Sequence, residues 1–392
     1  MTDAVHILVV DDEPDLELLI RQKFRRQIRD GAMVFSFAND GVEALASLKD
    51  GSAIDIVLSD INMPRMDGLS LLRNIRELEL PLKVVMVSAY GDMANIRTAM
   101  NRGAFDFITK PISFDDLTIT IEKTYRELEL HRNAEQVQRQ LTALQRDLEI
   151  ASKIQLSMLP SAFPAFPEQE SFDLCASMIP AQEVGGDLYD CFMLEDGRLG
   201  FVVGDVSGKG MGAALFMAIT RTMVRATALR GLPPAECIRT VNKALFPESM
   251  PHIFVSLIYG ILDPTTGEIA LCNAGHNRPY VVRKEGRVQE LDSPRGLAIC
   301  LKSDFEYTAT SLSLEPGESL VVFSDGVTEA ADDCRIQFDE SSLMACLQET
   351  QGERPAGIIR DVLRAVADHC GAEPASDDIT LLVLQYTGPP VS

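Results

Sequence analysis

Acidic residues recur in this chain where apolar runs stop, and their neighbours are of the types that phosphoryl chemistry uses. In the N-terminal third, Asp11 and Asp12 follow the run His6-Val10, Asp60 follows Ile54-Ser59, Ser88 ends Val84-Ser88, and Lys110 with Pro111 follows Asp106-Ile108. In an open parallel α/β sheet the working groups stand just beyond the carboxyl ends of the strands, so this order brings three carboxylates to one edge. Such a cluster is unfavourable unless a cation neutralises it, and an all-oxygen ligand set selects a hard ion such as Mg. On this reading Asp11 and Asp12 hold the ion, the carbonyl of Asn62 adds a ligand, and Asp60 is the nucleophile and phosphoacceptor. Lys110 and Ser88 then steady phosphoryl oxygens as charge shifts. One acidic residue at a strand end is ordinarily a solvated loop residue or a cap. Several strand ends offering parts of one reaction are not so explained.

A second acidic set punctuates the C-terminal half: Gly185-Gly186-Asp187, Gly204-Asp205-Val206-Ser207-Gly208, Ser324-Asp325-Gly326 and Ser376-Asp377-Asp378. A single Asp-Gly pair is more often a turn than a metal ligand. Carboxylates gathered at the edge of a β core form the ligand set of a hard two-ion site, which activates water and clamps phosphoryl oxygens. The implied chemistry is hydrolysis of a phosphate ester without a phosphorylated protein nucleophile. A cysteine phosphatase is excluded, because no Arg follows Cys370 in Cys370-Gly371-Ala372-Glu373-Pro374-Ala375 to cradle phosphate. A nucleotide P-loop is excluded too: Gly204 lies one residue too close to Gly208-Lys209, and Gly210 replaces the required Ser or Thr.

The elements that position these groups follow from the patterning. Residues 5 to about 120 alternate short β-branched runs with amphipathic stretches, the pattern of a doubly wound five-stranded parallel sheet. From Leu117 to Met158 there is no Gly or Pro, and good helix formers fill the stretch, which predicts one long helix. Within it Val137, Leu141, Leu144, Leu148 and Ala151 alternate spacings of four and three and continue to Gln155 and Met158, a heptad-like seam that predicts a short dimeric coiled coil. The competing reading is a single amphipathic helix packed on its own domain. After Pro160, Pro164 and Pro167 the runs Leu199-Val203, Phe254-Leu262, Ile269-Cys272, Ser319-Phe323 and Ile379-Leu384 read as strands, with helices near Ala213-Arg230 and Ala356-His369. The expected organisation is therefore an α/β domain over residues 1–125, a connector helix over 126–160, and an α+β domain over 161–392.

Composition narrows the function. Asp and Glu number 58 against 36 Lys and Arg, a formal charge of -22 that repels nucleic acid and anionic lipid over most of the surface. No direct contact with DNA or membrane is expected. The eight cysteines include no Cys-x-x-Cys pair, so neither a zinc site nor a disulfide framework is indicated. No apolar run approaches membrane-spanning length and no signal-peptide pattern precedes Val5, which makes a cytoplasmic location the expectation.

Through Val9-Val10-Asp11-Asp12-Glu13, Ser59-Asp60-Ile61-Asn62-Met63-Pro64, Asp67-Gly68, Ser88-Ala89 and Lys110-Pro111, the N-terminal stretch resembles the receiver domain of bacterial two-component response regulators. The resemblance implies phosphorylation of Asp60 by a histidine kinase or phosphotransfer protein, with Ser88 and the switch aromatic Phe107 moving together. The C-terminal stretch resembles the metal-dependent protein phosphatase family, in the branch typified by RsbU and SpoIIE. The carrying motifs are Glu183-Val184-Gly185-Gly186-Asp187-Leu188-Tyr189-Asp190, Gly204-Asp205-Val206-Ser207-Gly208-Lys209-Gly210, Asn273-Ala274-Gly275-His276, Phe323-Ser324-Asp325-Gly326-Val327-Thr328-Glu329 and Asp377-Asp378-Ile379-Thr380.

That resemblance implies a β-sandwich flanked by helices and two Mg or Mn ions. Asp187, Asp205, Asp325 and Asp377 are the implied ligands, with the carbonyl of Val206, and Asp378 stands beside them; which acid of the final pair ligates stays open. Eukaryotic members of the family commonly hold substrate phosphate with an Arg near the domain start. No basic residue stands near Ala176-Pro180 here, so Lys209 or Arg278 is the candidate in its place. His276, a lone His in a Gly-rich turn, reads as structural. Glu149 to Pro160 resembles the helix that precedes this phosphatase branch. The family's substrate is a phosphoserine or phosphothreonine on an anti-sigma-factor antagonist. The alternative function is a non-catalytic adaptor whose phosphatase-like domain binds a sigma factor or anti-sigma partner.

Overall fold

The computed structural model describes residues 4–51, 53–89, 92–249 and 252–389, so the outermost residues of the expected domains lie outside the described segments. The chain divides into two compact units, Met1–Ala143 and Leu144–Ser392.

In the first unit, five strands form one parallel sheet: β1 (Val5–Val10), β2 (Met33–Ala38), β3 (Ile56–Asp60), β4 (Lys83–Ala89) and β5 (Asp106–Lys110). Their order is β2-β1-β3-β4-β5. β3 is buried at every position, as a strand covered by helices on both faces must be. Leu8, Val10, Val57, Val84 and Met86 point into one core, with Leu71, Leu72 and Ile75 of α4 (Gly68–Glu77). Ile7, Val9, Ile56, Leu58 and Val85 point into the other, with Leu16 and Ile20 of α1 (Pro14–Lys23). The chain direction across the sheet reverses between β1 and β3, and that switch point opens the crevice at their carboxyl ends. Between these elements lie α2 (Arg25–Arg29), α3 (Gly41–Lys49) and α5 (Met93–Asn101). Asp40 and Asp67 cap α3 and α4 by accepting backbone N–H groups.

The Gly-free stretch is a single helix, α6 (Phe114–Met158), beginning three residues before the expected Leu117. Within the first unit, Arg132 of α6 bonds Oδ1 of Asp55 at 2.7 Å and the carbonyl of Pro81, while Asp55 accepts the backbone N–H of His6. The seam residues Val137, Leu141 and Leu144 are 54, 50 and 57% exposed. The seam does not extend to Gln155 as its spacing suggests. Gln155 is buried, with its amide bonded to both N–H and C=O of Gly185.

The second unit has four layers. One sheet orders β13 (Ala309–Ser313), β10 (Glu268–Ala274), β9 (Val255–Leu262), β8 (Leu199–Val206) and β7 (Leu188–Met193). The other orders β12 (Val288–Glu290), β11 (Tyr280–Val282), β14 (Ser319–Phe323), β15 (Ile379–Tyr386) and β6 (Phe172–Ile179). Every pairing in both is antiparallel. Period-two alternation sorts side chains between layers. Leu199, Phe201 and Val203 enter the core between the sheets with Leu382 and Leu384. Val202 and Val206 face α7 (Met211–Ala228) and α8 (Pro234–Leu245). Leu381 and Val383 face α10 (Asp339–Glu349) and α11 (Pro355–Cys370). A short helix, α9 (Asp325–Thr328), follows β14.

This is the expected β-sandwich flanked by helices, although α8 and α10 were not anticipated beside α7 and α11. The fully buried Asp190 of β7 binds Arg221 and Arg225 of α7, each at 3.0 Å, and ties that helix to its sheet. No helix among the described residues is long and apolar enough to cross a membrane.

Helix α7 allows a direct comparison of its two faces. Met217 is fully buried in the helix–sheet core and Leu215 is 60% exposed. Met217→Ala is expected to destabilise the second unit by about 2–5 kcal/mol, and Leu215→Ala to stay within about 0.5 kcal/mol of wild type. Urea unfolding of the full chain, followed at the transition of that unit, checks both values.

Candidate functional site

The receiver-like crevice assembles the residues expected there. Asp60 ends β3, Lys110 ends β5 and Asp11 follows β1. The carboxylates of Asp11, Asp12 and Asp60 bring one oxygen each to within 4.8 Å of the others. Lys110 Nζ lies 2.7 Å from Asp60 Oδ2, 3.0 Å from Asp11 Oδ2 and 2.9 Å from Glu13 Oε1. Burial would lower the lysine pKa, but the hydrogen bonds it donates to Asp60, Glu13 and Asp11 outweigh it and hold the ammonium above its ordinary range. Burial raises the Asp11 carboxyl above the usual carboxylate value, against the Glu13 N–H and Lys110. Ser88 Oγ is fully buried and has no hydrogen-bond partner among the described residues, so it can bond an incoming oxygen. Asn62 sits beside Asp60, its N–H directed at Oδ1 at 3.4 Å, and Phe107 is half-exposed on β5. Gly68 is required by contact: a Cβ there would lie 2.1 Å from the Asp60 carbonyl oxygen. Glu13 was given no role from sequence, though it adjoins Asp11 and Asp12.

The second set lies at strand ends contributed by both sheets. Asp187 precedes β7, Asp205 lies in β8, Asp325 opens α9 after β14, and Asp377 and Asp378 precede β15. Asp187 is 1% exposed, and its Oδ2 has no hydrogen-bond partner among the described residues. Burial, then the neighbouring Asp205, push its carboxyl well above the ordinary value. Asp205 is pushed up to about 7 by burial and by Asp325 and Asp377. Asp325 is raised by burial, then by Glu329 and Asp377. A buried carboxylate oxygen without a protein partner, among raised acids, has the chemistry of a ligand for a hard cation. Among the described residues, no three of these acids bring oxygens within 4.8 Å of one another. A looser set of this kind suits ligands shared between two ions.

Of the final acidic pair, left open as ligands by the sequence, Asp378 has its carboxylate directed at backbone N–H groups. Its Oδ1 accepts the N–H of Ala181 at 2.8 Å, and its Oδ2 accepts those of Gly186 and Asp187 at 2.6 and 3.3 Å. The carboxylate is thus taken up in shaping the Gly185-Gly186-Asp187 turn. Asp377 is half-exposed, with Oδ2 facing Lys209 at 3.1 Å. Gly326 permits the close approach of this strand, since a Cβ there would lie 2.0 Å from the Asp378 carbonyl oxygen. The Val206 carbonyl stands against Gly186, where a Cβ would come within 2.7 Å of it.

His276 is buried, bonds Ser256 Oγ at 2.7 Å and closes a ring with Asn273 through two backbone bonds. Burial lowers its pKa to about 4, so it is neutral at physiological pH and braces the β10 turn. Arg278 is paired with Glu290 rather than with a cluster acid. Gln155 was missed as a site residue, although it lies in the Glu149–Pro160 segment.

Two family models match the chain: the response regulator receiver domain over residues 7–122, and Stage II sporulation protein E (SpoIIE) over residues 195–387. Protein IcfG of Synechocystis is 29% identical over 61% of this chain and 41% of its own length. The chain therefore spans about two fifths of that relative. The phosphoserine phosphatase RsbU of Bacillus subtilis is 24% identical over 62% of this chain and 70% of its own length. The chemotaxis protein CheY of Bacillus subtilis is 34% identical over 31% of this chain and 98% of its own length.

The two roles in the final acidic pair separate by mutation. Asp378→Ala leaves three backbone N–H groups without acceptors and is expected to lower stability by about 3 kcal/mol or more. Asp377→Asn should keep the melting temperature and weaken Mn binding, read by calorimetric titration.

The raised acids also set a pH dependence. A carboxyl whose folded pKa exceeds its unfolded value binds protons preferentially in the folded state, so its contribution to stability is lost as pH rises through the folded pKa. With chelator present, the second unit should therefore melt lower at about pH 8 than at about pH 5, the loss accumulating as pH rises and levelling off above the Asp205 value of about 7. Saturating Mn at about 100 times its Kd should restore about 2.7 kcal/mol at the higher pH, and Asp205→Asn should flatten the slope.

The chain belongs to the response regulators, with a receiver domain over residues 7–122 joined to a SpoIIE-family domain over residues 195–387.

Proposed function

We propose that this response regulator accepts a phosphoryl group on Asp60 and thereby controls a metal-dependent phosphoserine/phosphothreonine phosphatase in its C-terminal half. The observation that carries the hydrolytic reading is the pair of raised carboxyls Asp187 and Asp205, the first buried with an oxygen that has no partner among the described residues, the second within the stretch that matches the SpoIIE model. Support for the phosphoester class comes from the similarity to a relative named a phosphoserine phosphatase. The domains are taken as receiver 1–125, connector 126–160 and phosphatase 161–392.

In the receiver, Asp11, Asp12, Asp60 and the Asn62 carbonyl hold Mg. Asp60 Oδ accepts the phosphoryl group from a histidine kinase or phosphotransfer protein. Lys110, already 2.7 Å from Asp60 Oδ2, and the free Ser88 hydroxyl bond the transferred oxygens, and Phe107 moves with Ser88. In the phosphatase, Asp187, Asp205, Asp325, Asp377 and the Val206 carbonyl hold two Mg or Mn ions, while Asp378 fixes the turn that carries Asp187. Ions bound there supply a water of lowered pKa and charge stabilisation at phosphorus. The chain's own residues fix the geometry and exclude bulk water, and no side chain becomes phosphorylated.

The substrate follows the family, a phosphorylated anti-sigma-factor antagonist. The exposed seam of Val137, Leu141 and Leu144 supports a homodimer through the connector. Charge and the absence of an apolar spanning helix among the described residues support a cytoplasmic protein without DNA or membrane contact.

Mn-dependent hydrolysis of p-nitrophenyl phosphate tests this reading. Asp325→Asn should lose about 100-fold or more in turnover, and Asp60→Asn should abolish any change that a small-molecule phosphoryl donor produces in the wild-type rate. Absence of metal-dependent turnover under every condition would favour the adaptor reading.

A further inference from the structure

Between β8 and α7 the chain runs through Ser207-Gly208-Lys209-Gly210, and both glycines adopt left-handed φ values, 92° and 76°. This turn delivers a cation to the acid cluster. Lys209 Nζ is 3.1 Å from Asp377 Oδ2 and donates to the Ser376 carbonyl. Among the described residues, no other basic side chain is ion-paired with Asp187, Asp205, Asp325, Asp377 or Asp378. Four arginines of this unit are ion-paired with other acids: Arg221 and Arg225 with Asp190, Arg278 with Glu290, and Arg283 with Glu318. Of the two basic residues that sequence offered for binding phosphate, only Lys209 is paired with the cluster.

An ammonium has three N–H donors. Two are engaged, and the side chain is still 45% exposed, which leaves one donor for a ligand at the rim. Space is available there, since a Cβ added at Gly208 or Gly212 would meet no heavy atom within 4 Å. A dianionic phosphoryl group approaching this acidic site meets repulsion from the carboxylates, and a fixed cation at the rim offsets it.

Resting on the phosphatase reading above, we propose that Lys209 is the phosphate-binding residue of this site. Its ammonium, held by Ser376 and Asp377, bonds a phosphoryl oxygen of the phosphoserine or phosphothreonine substrate and of the inorganic phosphate product.

The test uses full-length protein loaded with Mn. p-Nitrophenyl phosphate kinetics, competitive inhibition by inorganic phosphate and calorimetric Mn titration are compared for wild type, Lys209→Met and Lys209→Arg. Loss of a charged hydrogen bond to phosphate should raise KM and the phosphate inhibition constant about tenfold or more in Lys209→Met. kcat should change less, Mn affinity should be unchanged or tighter, and Lys209→Arg should recover most of the loss. Melting curves accompany each variant. Where Lys209→Met unfolds early, Lys209→Gln, which keeps a donor for the Ser376 carbonyl, replaces it. An unchanged phosphate inhibition constant, or a loss of Mn affinity parallel to the rise in KM, would overturn the assignment while leaving the phosphatase standing. A wild type without Mn-dependent turnover would overturn the phosphatase reading and this assignment with it.

Discussion

Like charges cannot be gathered at the edge of a dry β-sandwich without compensation, and much of the local structure of the second domain answers that constraint. Asp187 is buried with a free oxygen, and Asp205 is raised to about 7 by burial and by two neighbouring carboxylates. The surroundings supply positive potential in small pieces: N–H groups of Ala181, Gly186 and Asp187 on Asp378, and one ammonium on Asp377. These donors hold the turn in shape but leave Asp187 unsatisfied, as a site for hard cations requires. Gly186 and Gly326 belong to the same solution, because each lets a carbonyl-bearing strand come close enough to bring the acids together.

The receiver meets the same problem differently. Lys110 stands among its acids, touching Asp60, Asp11 and Glu13, whereas Lys209 sits at the rim of the second cluster and touches one acid. The difference suits the chemistry proposed for each. A phosphoacceptor carboxylate needs a cation beside the oxygen that forms the new bond, and that cation stays to stabilise the acyl phosphate. A hydrolase that activates water needs its buried acids free for ions, with any fixed cation held back where substrate and product pass.

The long helix makes one side-chain contact near its middle and another near its C-terminal end, each within its own unit. Arg132 is pinned to Asp55 and the Pro81 carbonyl within the first unit, and Gln155 is pinned to both backbone groups of Gly185 within the second. Gly185 is two residues from Asp187, so the end of α6 is bonded to the turn that carries a candidate ligand. A buried amide that satisfies two backbone groups resists displacement.

Much of this protein was legible in its sequence. The parallel sheet, the long helix and the acids at strand ends follow from periodicity and from the positions of charge, because burial on both faces demands continuous apolar strands and turns demand Gly and Asp. The short strands β11, β12 and β13 were not marked, since three to five residues carry little periodic signal, and α10 has a weakly sided pattern. Tertiary structure alone decided which members of the acidic motifs do what. Asp377 and Asp378 are equivalent as neighbours in a sequence, but strand geometry points one at three backbone N–H groups and the other at Lys209. Gln155 reads as one more polar residue on a helix until folding brings Gly185, thirty positions away, against it. Sequence specifies which groups are present and which local elements carry them; the partners that divide their labour lie far along the chain and become neighbours only on folding.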